Sequence, residues 1–191
     1  MKKLFLLSIC VFFVLLSGSC QNPVAGKSGV EVIIDGDGQF PQFLVGTWRA
    51  DKRGLEITFE PDGKISSAVI SLGRVRMEPG QATTTQMVLG GKGIFEPGKW
   101  TVQYSQARRE LGVDITVKHF RVELGDSIVQ GSTRDFFIGT VSPDGQLWWA
   151  ERYKFPEYVV DTEKNPNFKL PFDPDENSGE SLVFQKVIES K

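Results

Sequence analysis

Histidine and cysteine are scarce in this chain of 191 residues, which holds one histidine and two cysteines. His119 has no second histidine with which to build a metal site, and such sites need several ligands. The sequence also lacks a Gly-x-Ser-x-Gly element, a P-loop and a Ser-x-x-Lys element. We therefore expect no enzyme activity, no metal and no other cofactor.

Long basic runs are absent, and 24 acidic residues outnumber 22 basic ones. Without Lys2 and Lys3, which precede an N-terminal apolar run, the net charge by side-chain count falls to about −4. An acidic surface of this kind does not neutralise phosphates. Nucleic acid is therefore not an expected partner.

The first twenty residues have the layout of an export signal. Lys2 and Lys3 precede an apolar run from Leu4 to Leu16, which is too short to span a bilayer of about 30 Å. The small residues Ser17-Gly18-Ser19 before Cys20 resemble the lipobox of bacterial lipoproteins. The resemblance implies removal of residues 1–19 and attachment of lipid, including a palmitate chain, to Cys20. An ordinary cleaved signal and an uncleaved anchor are the alternatives.

Lipid on Cys20 would hold the protein at a membrane. Two or three acyl chains contribute about 0.8 kcal/mol per buried methylene, which gives stable anchoring. Gln21 stands where an aspartate favours retention in the inner membrane, so the resemblance implies the outer membrane. Residues 20–43 contain glycine, proline and polar residues, and they predict a tether to one domain at 44–191.

Apolar and polar residues alternate from Leu44 onward, which predicts β-strands with one buried face. The run 55–59 shows this alternation clearly. Turns are predicted at Pro61-Asp62-Gly63, Pro97-Gly98 and Pro143-Asp144-Gly145.

One long run contains a change of phase. Apolar residues occupy odd positions over 111–117 and even positions over 120–124. One extra residue near Lys118 and His119 keeps both halves facing inward, as a β-bulge does. His119 is expected at the surface there.

The pattern as a whole predicts an all-β domain. We expect an antiparallel meander of about eight strands that closes into a barrel, because closure removes exposed sheet edges. Two packed sheets would satisfy the same alternation. A short helix near Pro41 or in the long loop is an alternative that the pattern leaves open.

Several short motifs resemble those of small bacterial lipocalin-like proteins. They are Gly46-Thr47-Trp48, the run 58–64, Gly98-Lys99-Trp100 and the closing run 181–186. The resemblance implies a calycin-like barrel in which Trp48 packs across the closed end and Arg152 lies against its ring. An ordinary turn with a core tryptophan would also account for Gly46 and Trp48.

In such a barrel, four aromatic residues are expected to point inward: Trp100, Tyr104, Trp149 and Tyr153. Their rings predict either a pocket for a small hydrophobic ligand or a filled core. Glu151 lies among them, and it either points inward and marks a site or lies at the rim beside an arginine.

The segment from Pro156 to Gly179 is the least strand-like part of the domain. Loops of this length either carry function or pack outside, so it is predicted to cover the barrel opening, to bind a partner or to lie on the surface. Asp35-Gly36-Asp37-Gly38 and residues 173–180 have some likeness to calcium loops, although solvated turns are the default.

Two functions remain open from the sequence. One is a lipid-anchored outer-membrane protein that binds a small apolar or amphiphilic ligand inside the barrel. The other is a structural or regulatory envelope lipoprotein that binds a protein partner through its surface and the 156–179 loop. An interior cavity favours the first function, and a packed interior with an exposed apolar patch favours the second.

Overall fold

The computed structural model describes residues 29–36, 38–70, 74–87, 90–161, 163, 166 and 179–188. The predicted signal, Cys20 and most of residues 162–178 lie outside the described residues. Among the described residues, no helix has the length and apolar character needed to span a membrane.

Eleven strands make up the described fold, which confirms the all-β prediction. They are β1 (Val30–Asp35), β2 (Gly46–Ala50), β3 (Glu56–Phe59), β4 (Ile65–Ile70), β5 (Val75–Met77), β6 (Thr83–Gln86), β7 (Lys92–Ser105), β8 (Glu110–Leu124), β9 (Ser127–Val141), β10 (Leu147–Asp161) and β11 (Glu180–Lys186). A single turn of 3-10 helix, Gln42–Leu44, precedes β2 and lies near Pro41.

The strands form one sheet in the order β1-β7-β8-β9-β10-β11-β2-β3-β4-β5, with β6 also paired to β7. Neighbours pair antiparallel, except that β1 runs parallel to β7. Both β1 and β6 pair with β7, at its second half and its first half respectively. The long hairpins β7 to β11 form the predicted meander.

The sheet is not closed into a barrel, so the predicted closure is wrong. β5 and β6 are joined by a tight turn and by the isolated bridge between Glu78 and Gln81. Beyond that bridge, Val75 and residues 83–87 line a cleft of about 220 Å³ between the two strands. The predicted count of eight strands is also wrong, because β1, β5 and β6 are short strands that the alternation did not reveal.

β7 continues through Pro97-Gly98, where the sequence predicts a turn, but its register with β8 shifts there. Its outer partner changes there from β6, which ends opposite Phe95, to β1, whose pairing begins opposite Trp100. Neither β6 nor β1 pairs with Pro97, so the absence of an N–H on this proline loses no hydrogen bond to either strand. The other two predicted turns are present, with φ of 82° at Gly63 and 69° at Gly145.

The segment predicted as a tether contains part of the sheet. β1 pairs along Trp100–Ser105, and Phe40 is buried with its ring 5.8 Å from that of Phe59. The folded domain therefore begins before residue 44. Apolar alternation in Val30–Asp35 was too short to distinguish a strand from a linker.

The predicted bulge is present in β8. Val117 pairs with Thr133 and Phe120 pairs with Gly131, so β8 has one more residue than β9 between these two pairs. β10 continues past Pro156 to Asp161, still paired with β9, so the predicted loop begins later than expected. The long strands β8, β9 and β10 position the surface described below.

Candidate functional site

The concave side of the sheet is filled by side chains that form one hydrophobic cluster. Its largest fully buried members are aromatic: Trp48, Trp100, Trp148, Phe59, Phe95 and Phe184. Trp100 donates its indole N–H to the carbonyl oxygen of Thr116 at 3.1 Å. Tyr104 is also buried, and burial raises the pKa of its hydroxyl against an opposing effect of Arg109. The structure thus places Trp100 and Tyr104 in a packed core.

The residues of the Gly-x-Trp motif lie where β2 begins. Gly46 adopts a φ of 110°, which favours glycine. Trp48 is fully buried and donates its indole N–H to the carbonyl oxygen of Leu44 at 2.8 Å. Arg152 does not lie on this ring as predicted; its guanidinium is 5.9 Å from the centroid of Phe137.

Arg152 belongs to a buried ion network. Its Nε and Nη2 donate to Asp135 Oδ1 at 3.0 and 2.6 Å, and both side chains are almost completely buried. Its Nη1 lies 3.3 Å from Glu180 Oε2, and Glu180 also pairs with Arg53 at 2.9 Å. Burial works to raise the pKa of Glu180, but these cations outweigh it and lower that pKa. The network turns the even-numbered side chains of this part of β10 toward the core.

The odd-numbered side of β10 carries a row of exposed rings, which we call the aromatic row: Trp149, Tyr153 and Phe155. They are 47%, 39% and 47% exposed, and Val159 continues the row. The prediction that Trp149 and Tyr153 point into the interior is therefore wrong. Arg152 and Trp148 occupy the buried phase of the strand instead.

Side chains from β9 support the aromatic row. Phe136 stacks on Tyr153 with ring centroids 6.3 Å apart. The guanidinium of Arg134 lies 5.7 Å from the centroid of Phe136 and 5.4 Å from that of Phe155. Asp114 on β8 holds Arg134 by hydrogen bonds of 2.9 and 2.5 Å, which raise the pKa of the guanidinium. Phe155 is therefore held against a fixed cation, and Tyr153 against the ring that the same cation contacts.

A shallow groove lies beside the far end of the row, at the β8 bulge. We call it the Gly131 groove; it measures about 570 Å³, and its lining residues are Lys118, His119, Gln130, Gly131, Ser132, Glu157, Tyr158 and Val159. A Cβ on Gly131 would lie 2.0 Å from the carbonyl oxygen of Glu157, so only glycine fits between these strands. His119 is exposed here, as expected, 4.0 Å from Glu96.

Besides Asp114, two carboxylates of β10 itself lie on the same face as the rings. Glu151 is exposed and accepts a hydrogen bond from the hydroxyl of Ser181, so the predicted arginine partner is replaced by a serine. Glu157 is exposed in the groove. Within the described part of the chain, neither carboxylate takes part in an ion pair.

No group of three or more metal-ligating side chains occurs among the described residues. Asp35 of the first predicted calcium segment accepts a hydrogen bond from Ser105 at 3.2 Å. Asp37 and most of the second segment, 173–178, lie outside the described residues. The surface offers ring faces, carboxylates, an amide, hydroxyls and the basic side chains of Arg134, Lys118 and His119.

Sequence reasoning missed Asp135, Phe136 and Arg134. The sequence does contain a signal for the buried ion pair. Arg152 lies on the same side of its strand as Trp148, and Asp135 lies on the same side of the preceding strand as Phe137. Opposite charges in the apolar phase of two successive strands indicate a buried pair.

No family model matches the chain, and neither the curated proteins nor the solved structures gave a match.

Proposed function

We propose that this chain is a lipid-anchored protein of the cell envelope that binds an envelope component on the outer face of β9 and β10. The observation that carries the proposal is the aromatic row, three exposed rings on one side of a single strand. Folded domains bury most large rings, and contiguous exposed ones mark interaction surfaces. Tryptophan and tyrosine are also the residues that dominate binding energy at such surfaces.

The anchor in this proposal is lipid on Cys20. The lipobox-like residues before that cysteine support it, and Gln21 after the cysteine favours the outer membrane. The test is labelling of cells with a palmitate analogue: the wild-type chain is expected to incorporate label and a Cys20→Ala chain is not. Equal labelling of both chains would contradict the anchor.

The packed interior favours a surface function over carriage of a small ligand inside the sheet. The aromatic residues predicted to wall a pocket are either core side chains, as Trp100 is, or exposed, as Trp149 is. A ligand of drug size needs a cavity of several hundred Å³. The Gly131 groove has that volume, and it lies on the outer face.

The spacing of the two β10 carboxylates disfavours cleavage of a glycosidic bond by this pair. Glu151 and Glu157 are separated by six residues of one strand. At about 3.3 Å per residue they lie about 20 Å apart. Carboxylate pairs that cleave glycosidic bonds lie about 5–9.5 Å apart, so these two cannot act on one bond.

Binding to isolated cell envelopes tests the proposal. The processed chain without its lipid, residues 21–191, keeps every described residue and can be mixed with envelopes of the source organism and sedimented. We expect saturable sedimentation that weakens at least about tenfold in a Trp149→Ala, Tyr153→Ala variant, since such rings each contribute about 1–2 kcal/mol or more.

The matched control is Ile188→Ala, which removes a largely exposed apolar side chain beyond the end of β11. It is expected to sediment like the wild type. Equal sedimentation of the wild type and the double variant would overturn the proposed function.

A further inference from the structure

Carboxylates are interspersed with the rings along β10. Glu151 lies between Trp149 and Tyr153, and Glu157 follows Phe155, all on one side of the strand. Successive side chains on one side of a strand are about 7 Å apart, so the row from Trp149 to Glu157 extends about 27 Å. The face is therefore a narrow linear platform rather than a round apolar patch.

The carboxylates within this platform disfavour a protein partner. The buried centres of protein interfaces are depleted in glutamate and serine. A protein docked over Tyr153 would also desolvate Glu151 and Glu157, neither of which takes part in an ion pair among the described residues, since Lys118 in the Gly131 groove pairs with Glu96. A partner that brings its own hydrogen-bond donors to these carboxylates avoids that cost.

Sugar chains have the required chemistry. The C–H faces of a sugar ring are apolar and pack on aromatic faces, while its hydroxyls donate hydrogen bonds to carboxylates and accept them from amides. The Gly131 groove adds an amide at Gln130 and a hydroxyl at Ser132 beside Glu157. Its volume of about 570 Å³ suits a small polar unit at the end of the platform.

The charges on this face restrict the kind of sugar chain. The positive charge of Arg134 is compensated by Asp114, and that of Lys118 in the Gly131 groove by Glu96 at 3.2 Å, whereas Glu151 and Glu157 have no ion pair among the described residues. The face is therefore net negative and repels uronic or phosphorylated polymers, and anionic lipid headgroups as well. Uncharged sugars are not repelled by this negative charge.

From these observations we infer that the envelope component is an uncharged polysaccharide chain. It lies along β10 with sugar rings on Trp149, Tyr153 and Phe155 and with hydroxyls on Glu151 and Glu157. This inference rests on the proposed function, because it names the partner of the same face.

Chemical treatment of the envelopes tests the inference. The processed, unlipidated chain is first shown to be folded by cooperative urea unfolding, and it is then sedimented with envelopes treated by proteinase K, by chloroform–methanol or by sodium periodate. Periodate cleaves the vicinal diols of sugars. We expect sedimentation to survive the first two treatments and to fall at least tenfold after periodate, relative to mock-treated envelopes.

A second variant separates sugar binding from a merely apolar contact. Glu151→Gln, Glu157→Gln keeps the shape of both side chains and removes their charge, so hydrogen bonds from sugar hydroxyls weaken. We expect binding to fall about three- to tenfold, with unchanged urea unfolding. Unchanged binding would contradict a role for the carboxylates in holding sugar hydroxyls and would overturn the inference.

The outcomes separate the two proposals. Sedimentation that is lost after proteinase K and resists periodate would overturn the polysaccharide and identify a protein partner, with the proposed function intact. Loss after chloroform–methanol alone would identify a lipid. Loss after both proteinase K and periodate would support a sugar chain that is attached to protein. Sedimentation of untreated envelopes that does not depend on Trp149 and Tyr153 would overturn the proposed function itself.

Discussion

Arg152 is the charged side chain on which the orientation of β10 depends. A buried cation is costly unless it is paired and hydrogen-bonded, and Asp135 supplies two hydrogen bonds of 3.0 and 2.6 Å. Glu180 lies farther away and is shared with Arg53. Asp135 is therefore the partner that permits burial of the guanidinium.

Replacing Asp135 with asparagine should destabilise the fold severely. The amide keeps the shape but leaves the charge of Arg152 undercompensated in the core, at a cost of about 3–5 kcal/mol. Urea unfolding measures the change. The control is Asp114→Asn, which breaks the partly exposed pair with Arg134 and should cost about 1 kcal/mol or less. Equal losses of unfolding free energy in the two variants would show that the buried pair contributes no more to stability than the exposed one.

Glu56 should make stability depend on pH. Burial works to raise its pKa, but hydrogen bonds and charge from Arg76 and Arg49 outweigh burial and lower the pKa below the usual 4.5. The folded state then binds protons less readily than the unfolded state. Its contribution to stability is present above pH 4.5 and is lost as the pH falls through the lowered pKa.

Glu56→Gln removes this titration. We expect the free energy of unfolding of the variant to fall less steeply than that of the wild type as the pH drops below 4.5. Urea unfolding between about pH 3 and pH 7 measures both slopes. A variant with the wild-type slope would exclude Glu56 as a source of acid sensitivity.

At the scale of the element, β10 shows what its sequence could predict and what it could not. Alternation predicts the strand, but two phases compete: Trp149, Tyr153 and Phe155 in one, Trp148 and Arg152 in the other. Hydrophobicity favours burial of the first phase. The second phase is the buried one, because Arg152 pairs with Asp135 on β9, 17 residues away in sequence, a partner that is found only by comparing the alternation of the two strands.

The adjacent tryptophans of β10 test this orientation directly. Trp148 is fully buried, with its ring 4.7 Å from that of Phe184, whereas Trp149 is exposed. We expect Trp148→Ala to lower the free energy of unfolding by about 3–5 kcal/mol and Trp149→Ala to change it by about 0.5 kcal/mol or less. Urea unfolding distinguishes them, and the reverse order would show that the strand faces the other way.

The candidate site could also be predicted only in part, because the buried side of β10 depends on a residue of another strand. The sequence singles out Trp149, Tyr153 and Glu151 as residues of interest, but it places the two rings in an interior. Phe136 and Arg134 join them only through the pairing of β9 with β10. The Gly131 groove depends on the β8 bulge, which the change of phase does predict, and on a close approach of strands, which it does not.

At the scale of the whole molecule, the sheet follows a nearly complete circuit that is interrupted between β5 and β6. The long strands β7 to β10 give many paired residues and a continuous apolar face. β5 has three residues and β6 has four, and both end at the cleft that separates them. The closure expected from the sequence fails where strands are too short to form a ladder.

Amide hydrogen exchange should map this interruption. Amides in β8 and β9 are paired on both sides and lie over the packed core, so they are expected to open only with global unfolding. Amides of β5 and β6 on the cleft side have no partner strand among the described residues, and they should exchange orders of magnitude faster. Exchange followed by mass spectrometry of peptides from residues 74–87 and 110–141 measures the difference. Protection over 74–87 as strong as that over 110–141 would mean that β5 and β6 pair in solution and that the sheet closes after all.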